Sequence, residues 1–426
     1  MAMLWMARLR YAGRSIVESP IVRPRTQEDH NARLLYLNTA MVGVASGGIV
    51  AFLPVFLARL GADSVALSWL ASAPALLAML FLVPGAMIAE RNPDQVQVRV
   101  TTTRIVRGSY LLCALAPWLV PAESLPLVLI AIWTLKTFPE AIMTPSWTAV
   151  MARAVSPRRR ATLNGTRWAL LSLVSAASSA AFGWLLDRIA FPLNYQLVFF
   201  VSFVLSALDP YFFSKIRVPL FEPPVVERTR SLGRRLLGYF RPVLHHRPFL
   251  LYLAATILYR VTLNLPAPLF SLFWVNELGA PDTLIGLRSS VGHGALVVGY
   301  VLWGRSANRL GHRRVLWLGA LGLGFYPVLT ALVPSAGWLL PVAALWGIMA
   351  SAVDIGLFDL MLGSCPDQRQ TLFAAVWSMA SNAAVFVGPL LGAALANAST
   401  VATALIVVGI AQAIATLPFF LLPRDA

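Results

Sequence analysis

The sequence predicts an all-α integral membrane protein of about twelve transmembrane helices, arranged as two pseudo-symmetric six-helix halves. Three observations lead there. The 426 residues are 58% hydrophobic and 12% charged, about half the charge of a soluble domain, so lipid must solvate most of the surface. A string recurs after half the length: Pro157-Arg-Arg-Arg160-Ala-Thr162 and Pro366-Asp-Gln-Arg369-Gln-Thr371 share P-x-x-R-x-T, and the same shift carries Trp168 onto Trp377 and Gly183 onto Gly392. Third, the arginines gather in alternate connections between apolar stretches.

A helix needs about 20 apolar residues to cross the hydrocarbon core, and charge clusters and Gly/Pro breaks divide the chain accordingly. Spans are expected near 34–58, 64–88, 101–120, 125–150, 162–186, 192–214, 249–275, 283–303, 313–333, 338–362, 371–397 and 400–422. The first opens on Leu34-Leu-Tyr-Leu37 and presents Ser46, Gly47, Gly48 and Ala51, a small-residue face suited to close helix contact. The third carries Arg104 and Arg107, which can snorkel to the interface. The fourth contains Lys136 and Glu140. The fifth follows the first copy of the repeated string, and Arg167 on it is also within snorkelling reach, with a cavity role as the competing reading. On the sixth, Asp209 precedes Pro210, where it can serve backbone groups that the proline leaves free. The seventh opens on Leu250-Leu-Tyr-Leu253, the counterpart of the first, carries Arg260 and ends near Leu278-Gly-Ala280, the counterpart of Leu60-Gly-Ala62. The eighth holds Arg288 and His293. The tenth holds Asp354, and its Trp346 answers Trp133 of the fourth.

The net charge of +16 lies mainly in one set of connections: Arg8 to Arg33, Arg91 and Arg99, Arg153 to Arg160, Arg217 to Arg247, and Arg309 to Arg314. The intervening ones hold little beyond Arg59, Asp63, Glu123, Asp187, Arg188, Glu277 and Asp282. This positive-inside asymmetry puts both termini and the central linker in the cytoplasm. It also speaks against nucleic acid, which needs arginines on one folded face. The expected organisation is a cytoplasmic segment 1–33, a half at 34–216, a linker at 217–248 and a half at 249–426. Leu4, Trp5 and Leu9, and again Leu232, Leu236, Leu237, Phe240 and Val243, alternate with arginines in patterns that fit helices lying on the inner leaflet; a solvated linker helix fits the second equally well. Cys113 and Cys365 are the only cysteines, which gives no disulfide framework and no thiolate metal site.

The connection after the eighth span reads Gly304-Arg-Ser-Ala-Asn308-Arg309-Leu-Gly311-His-Arg313-Arg314. It resembles the G-x-x-x-D-R-x-G-x-R-R loop of the major facilitator superfamily, with Asn308 in place of the acid. The resemblance implies that Gly304, Asn308, Arg309, Gly311 and Arg313, together with the repeated Arg160 and Arg369, latch the halves in one conformation. It also implies a central cavity lined by the first, fourth, seventh and tenth helices. The equivalent first-half loop, Gly85 to Asp94, is degenerate. Lys136-Thr-Phe-Pro-Glu140 replaces the Arg followed by Gln-Gly of proton-coupled exporters, and Gly388-Pro389-Leu-Leu-Gly392 lies on the eleventh span instead of the fifth. Both departures weigh against drug antiport.

Charges inside spans cost roughly 2.5–3.5 kcal/mol each at a helix centre, so they are the sharpest clues. Lys136 and Glu140 share a face of the fourth helix, Arg260 sits on the seventh and Asp354 on the tenth, helices that the resemblance brings to the cavity. A carboxylate drawn out of water holds its proton more readily, which makes Glu140 and Asp354 candidate proton carriers and Lys136 and Arg260 candidate partners of them or of an anionic solute. The competing reading is simple neutralisation of Lys136 by Glu140 one turn away. No phosphate-binding loop, zinc-protease or nucleophile-elbow motif is present, so neither an enzyme nor a cofactor or metal is expected. The expected function is secondary active transport of a small organic solute by alternating access, coupled to protons, by a monomer in the plasma membrane, with export and uptake both open. The alternative is a transport-dead solute-binding receptor, against which the short tails argue.

Overall fold

The computed structural model describes residues 24–221, 243, 245–366 and 370–422. The proposed surface helices around Leu4 to Leu9 and Leu232 to Phe240 lie outside them. All regular structure among the described residues is helical, in twelve long elements: α1 (Gln27–Arg59), α2 (Ser64–Glu90), α3 (Gln95–Leu119), α4 (Leu125–Ala154), α5 (Pro157–Leu186), α6 (Leu193–Ser214), α7 (Arg247–Glu277), α8 (Asp282–Leu310), α9 (His312–Leu332), α10 (Leu339–Gly363), α11 (Gln370–Ala398) and α12 (Val401–Leu421). Eleven are long and apolar enough to cross a membrane. The exception is α3, where Arg99, Arg104 and Arg107 depress the mean hydropathy.

Several helices begin before their apolar stretch. Expected from residue 34, α1 starts at Gln27 because Thr26 and Asp29 form a reciprocal capping box, satisfying two orphan N–H groups. Its first turns are then tied to the rest of the half. Asp29 pairs with Arg159 at 2.8 Å, and the Asn31 amide donates to the carbonyls of Ala154 and Arg217 at 3.1 and 3.0 Å. Asp63, Asp94 and Thr400 cap α2, α3 and α12 through their side-chain oxygens. Midway, α1 opens into a wide turn over Ser46–Val50, just before Pro54, which cannot donate to the ladder. There the Ile49 N–H is close to Ser202 Oγ, 3.2 Å away. The small-residue face is used as anticipated: a side chain at Gly47 would lie 2.9 Å from Ser178 Cβ on α5.

The charges on α3 are explained by a buried network and not by snorkelling, except at Arg104, which is exposed. Asp209 on α6 is fully buried and receives Arg107 at 2.7 Å and Arg99 at 3.6 Å, while the Asn38 amide of α1 donates to its other oxygen. The acid therefore serves two guanidinium groups and an amide, not the backbone freed by Pro210. In a membrane interior such mutual satisfaction is what makes buried charge tolerable.

Between the halves, α5 packs on α8 and α11 on α2, the same contact twice in the pseudo-symmetric scheme. Glycine permits it: a Cβ at Gly286 would meet Gly183 Cα at 3.0 Å. At one end the halves are joined. Arg59 bonds Asp282 at 3.0 Å and the Ala280 carbonyl at 2.8 Å, the Tyr195 hydroxyl donates to Asp282 at 2.8 Å, and Ser64 donates to Asn397 at 2.7 Å. Asp187 accepts from the first two N–H groups of α8, Asp282 and Thr283, at 2.9 and 2.8 Å. A single apolar core lies beneath these contacts, taking Phe56, Tyr195 and Phe199 from one half and Leu269, Phe273 and Trp274 from the other. Toward the opposite end the core divides. Leu35, Met151 and Phe213 pack within the first half, and Phe249, Tyr252, Leu360 and Phe373 within the second.

Replacing Asp209 with Asn strips two buried arginines of their counter-charge and is expected to destabilise the protein by about 3–5 kcal/mol. Arg104→Gln, at an exposed position on the same α3, should fall within about 0.5 kcal/mol of the parent. Thermal unfolding of both variants in the same detergent checks this, and equal midpoints would contradict the network.

Candidate functional site

Lys136 and Glu140 do meet, at 2.7 Å. The ammonium also lies 4.1 Å from the Trp133 ring centroid, which a cation favours for its electron-rich face. Trp133 stacks on Tyr110 of α3 at 6.0 Å, and the Tyr110 hydroxyl receives Arg107 at 2.8 Å. The pair is thus the near end of a polar chain running through α3 to Asp209. Its lysine side chain is 9% exposed and its glutamate 29%, so Glu140 is the member that solvent can reach.

Arg260 lies over the Trp377 ring at 4.5 Å. Asp354 is exposed and accepts the Tyr300 hydroxyl of α8 at 2.8 Å. Arg260 and Asp354 form no direct ion pair. Of the expected site residues the structure therefore joins only Lys136 and Glu140 directly, while Arg260 and Asp354 in the other half meet Trp377 and Tyr300. The aromatic residues near them mostly pack. Phe138 meets Phe81 at 4.2 Å, Trp346 meets His293 at 6.5 Å, and Tyr259 is buried beside Gln412. Arg288 lies 4.1 Å from the Trp274 ring and bonds the Tyr326 hydroxyl.

A cavity of about 260 Å³ opens in the first half. Asn38 and Thr39 of α1, Arg99 of α3, Trp147 of α4 and Arg167 and Trp168 of α5 line it. Arg167 does not snorkel. Its Nε donates to Thr39 Oγ1 at 2.9 Å and its guanidinium covers the Trp147 ring at 4.7 Å. The sequence leaves Arg167 between snorkelling and a cavity role because position on a helix gives depth but not facing direction. A usable signal existed in the number of arginines on the third and fifth spans, which exceeds the single acid on the sixth.

The expected latch residues act within their own halves in this conformation. Arg313 donates to the carbonyls of Phe420 and Leu422 at 3.2 and 2.8 Å, and Arg160 to that of Ala152. Gly311 has φ of +83°, a conformation that favours glycine and lets α9 follow α8 directly. Gly304 faces open space, and Arg309 is exposed. Arg369 and the side chain of Asn308 lie outside the described residues.

A search of curated protein sequences finds no match. Solved structures do match, at identities that show the fold alone. The nucleoside transporter NupG superposes with a TM-score of 0.69 at 11% identity, over 93% of this chain and 99% of that one. A POT family transporter in complex with a thioalcohol-conjugated peptide gives 0.74 at 12%, over 92% and 95%. A bacterial homologue of the human lysosomal transporter Spinster, inward-facing and unoccupied, gives 0.67 at 14%, over 93% and 97%. The family model of the Major Facilitator Superfamily matches residues 35–263 and 252–426. With the twelve-helix fold, the paired halves and that match together, the chain belongs to the Major Facilitator Superfamily and is a multi-pass membrane transporter, not an enzyme.

Proposed function

We propose that the chain moves a small organic solute by alternating access, and that the structure is its inward-open state. The observation that carries this is the division of the core: one apolar core shared by both halves at the end bearing Arg59 and Asp282, and separate cores at the other. The arginine-rich connections lie at the parted end, so the positive-inside rule turns that end, both termini and the 217–248 linker toward the cytoplasm of a plasma membrane. The parted shape accords with superposition on the inward-facing Spinster homologue. Two halves, 34–216 and 249–426, would rock as a monomer about the α2–α11 and α5–α8 contacts. In the opposite state the Gly304–Arg313 loop, Arg160 and Arg369 would be brought together as the latch.

Protons are the proposed driving ion. Among the described residues Asp354 has a neutral tyrosine as its one hydrogen-bond partner, and Glu140 is solvent-accessible beside a lysine; each can take up a proton when the cavity opens to one side and release it when it opens to the other.

Two outcomes are expected. Solute counterflow in proteoliposomes should fall at least about tenfold in a Glu140→Gln, Asp354→Asn double variant; flux that is indifferent both to this change and to collapse of the proton gradient would remove proton coupling. Cysteines in place of Ser64 and Asn397, whose side chains touch across the halves, should cross-link on oxidation and stop flux until reduced. Cys113 and Cys365 are buried and leave this readout clean. Undiminished flux through fully cross-linked protein would contradict alternating access.

A further inference from the structure

The first-half cavity carries more positive charge than its surroundings neutralise. Arg99 is 4% exposed, yet among the described residues its Nε and Nη1 have no hydrogen-bond partner, and only Nη2 reaches toward Asp209. Asp209 has nothing left to offer: one oxygen is taken by Asn38, the other by Arg107 and Arg99. Arg167 meets hydroxyl, amide and aromatic groups but, among the described residues, no carboxylate. Elsewhere in the spans Lys136 is paired with Glu140, Arg260 lies over the Trp377 ring, and Arg288 meets the Trp274 ring and the Tyr326 hydroxyl. Three guanidinium groups at Arg99, Arg107 and Arg167 thus face a single acid, and two of the three line one open cavity. A buried cation with idle donors is costly, and such a cost persists where a ligand relieves it.

We propose that this cavity seats the anionic group of the solute, a carboxylate or phosphate oxyanion bonded by Arg167, with the buried Arg99 adding its positive charge from the cavity wall. This rests on the transport reading above and adds the substrate class to it. The guanidinium fork suits an oxyanion, to which it can present parallel N–H donors. Trp147 fixes the Arg167 plane from beneath. At about 260 Å³ the cavity is smaller than the roughly 300–1,000 Å³ of drug-sized sites, so it takes a head group while the remainder of the solute extends past Thr144 and Trp168, both exposed at its rim.

The test uses the full chain in nanodiscs of phosphatidylcholine, with thermal unfolding followed against phosphate and acetate and against chloride at matched ionic strength. Saturable protection by an oxyanion over chloride is expected. In Arg167→Gln the concentration needed should rise about 10- to 100-fold, while Arg104→Gln, exposed on α3, should leave it unchanged. Should Arg167→Gln fail to fold, Thr144→Asp supplies an internal carboxylate at the rim and should abolish protection by competing for Arg167. The proposal is overturned if neither oxyanion protects more than chloride, if protection survives both cavity variants, or if it appears only when anionic phosphatidylglycerol is added, which would assign the site to a lipid head group. Oxyanion binding without any solute flux would count against transport and leave the site standing. Flux without oxyanion protection would do the reverse.

Discussion

The buried carboxylate of Asp209 is the interaction on which the first half depends. A lone charge in hydrocarbon is costly, and Asp209 is accepted because Arg107, Arg99 and Asn38 reach it from two other helices. The exchange of contacts binds α1, α3 and α6 into one body. From Arg107 the chain of partners continues through Tyr110 and Trp133 to Lys136 and Glu140 on α4. Three helices are therefore held by polar contacts around one carboxylate, and α4 joins them through the stacking of Trp133 on Tyr110. A half built this way moves as a unit, which rocking of halves requires.

The joint between the halves is built differently. It uses small residues, Gly183, Gly286 and Ser179, where backbones nearly touch, and polar links at one rim. In the Arg59–Asp282 pair the arginine is 27% exposed and the aspartate 6%, so water reaches one partner only. Small side chains let packed helices tilt without unlocking interdigitated rotamers. The first half is thus held by a buried carboxylate serving two guanidinium groups, and the halves by close backbones with an ion pair at the rim.

How much of this could be read from the chain differs by level. Number, order and pairing of helices were legible because lipid imposes a length and an apolar composition on each span, and because Trp168 with Trp377 and Gly183 with Gly392 preserve the register of a duplication. Helix starts were less legible: Thr26 and Asp29 extend α1 beyond its apolar residues by capping chemistry that hydropathy ignores. Lys136 with Glu140 could be paired because they lie one turn apart on one helix. Arg107 with Asp209 could not, since their contact depends on the rotation of α3 against α6. Arg167 shows the same limit, its depth being readable and its direction not.

The duplicated tryptophans show where scaffold ends and chemistry begins. Trp168 and Trp377 occupy equivalent places in the two halves, and each lies near a cation, but the cations come from different elements. In the first half Trp168 borders the cavity with Arg167, a neighbour on its own helix, whereas Trp377 of α11 lies beneath Arg260 of α7. Had the charges been inherited with the scaffold, they would occupy matching positions. They do not, and the electrostatics of the halves differ accordingly. Arg260 lies over Trp377, while Arg99 and Arg107 share Asp209 and Arg167 meets no carboxylate among the described residues. A symmetric shell is sufficient for rocking. An unequal distribution of charge inside it means that the two halves present different chemistry to whatever enters between them.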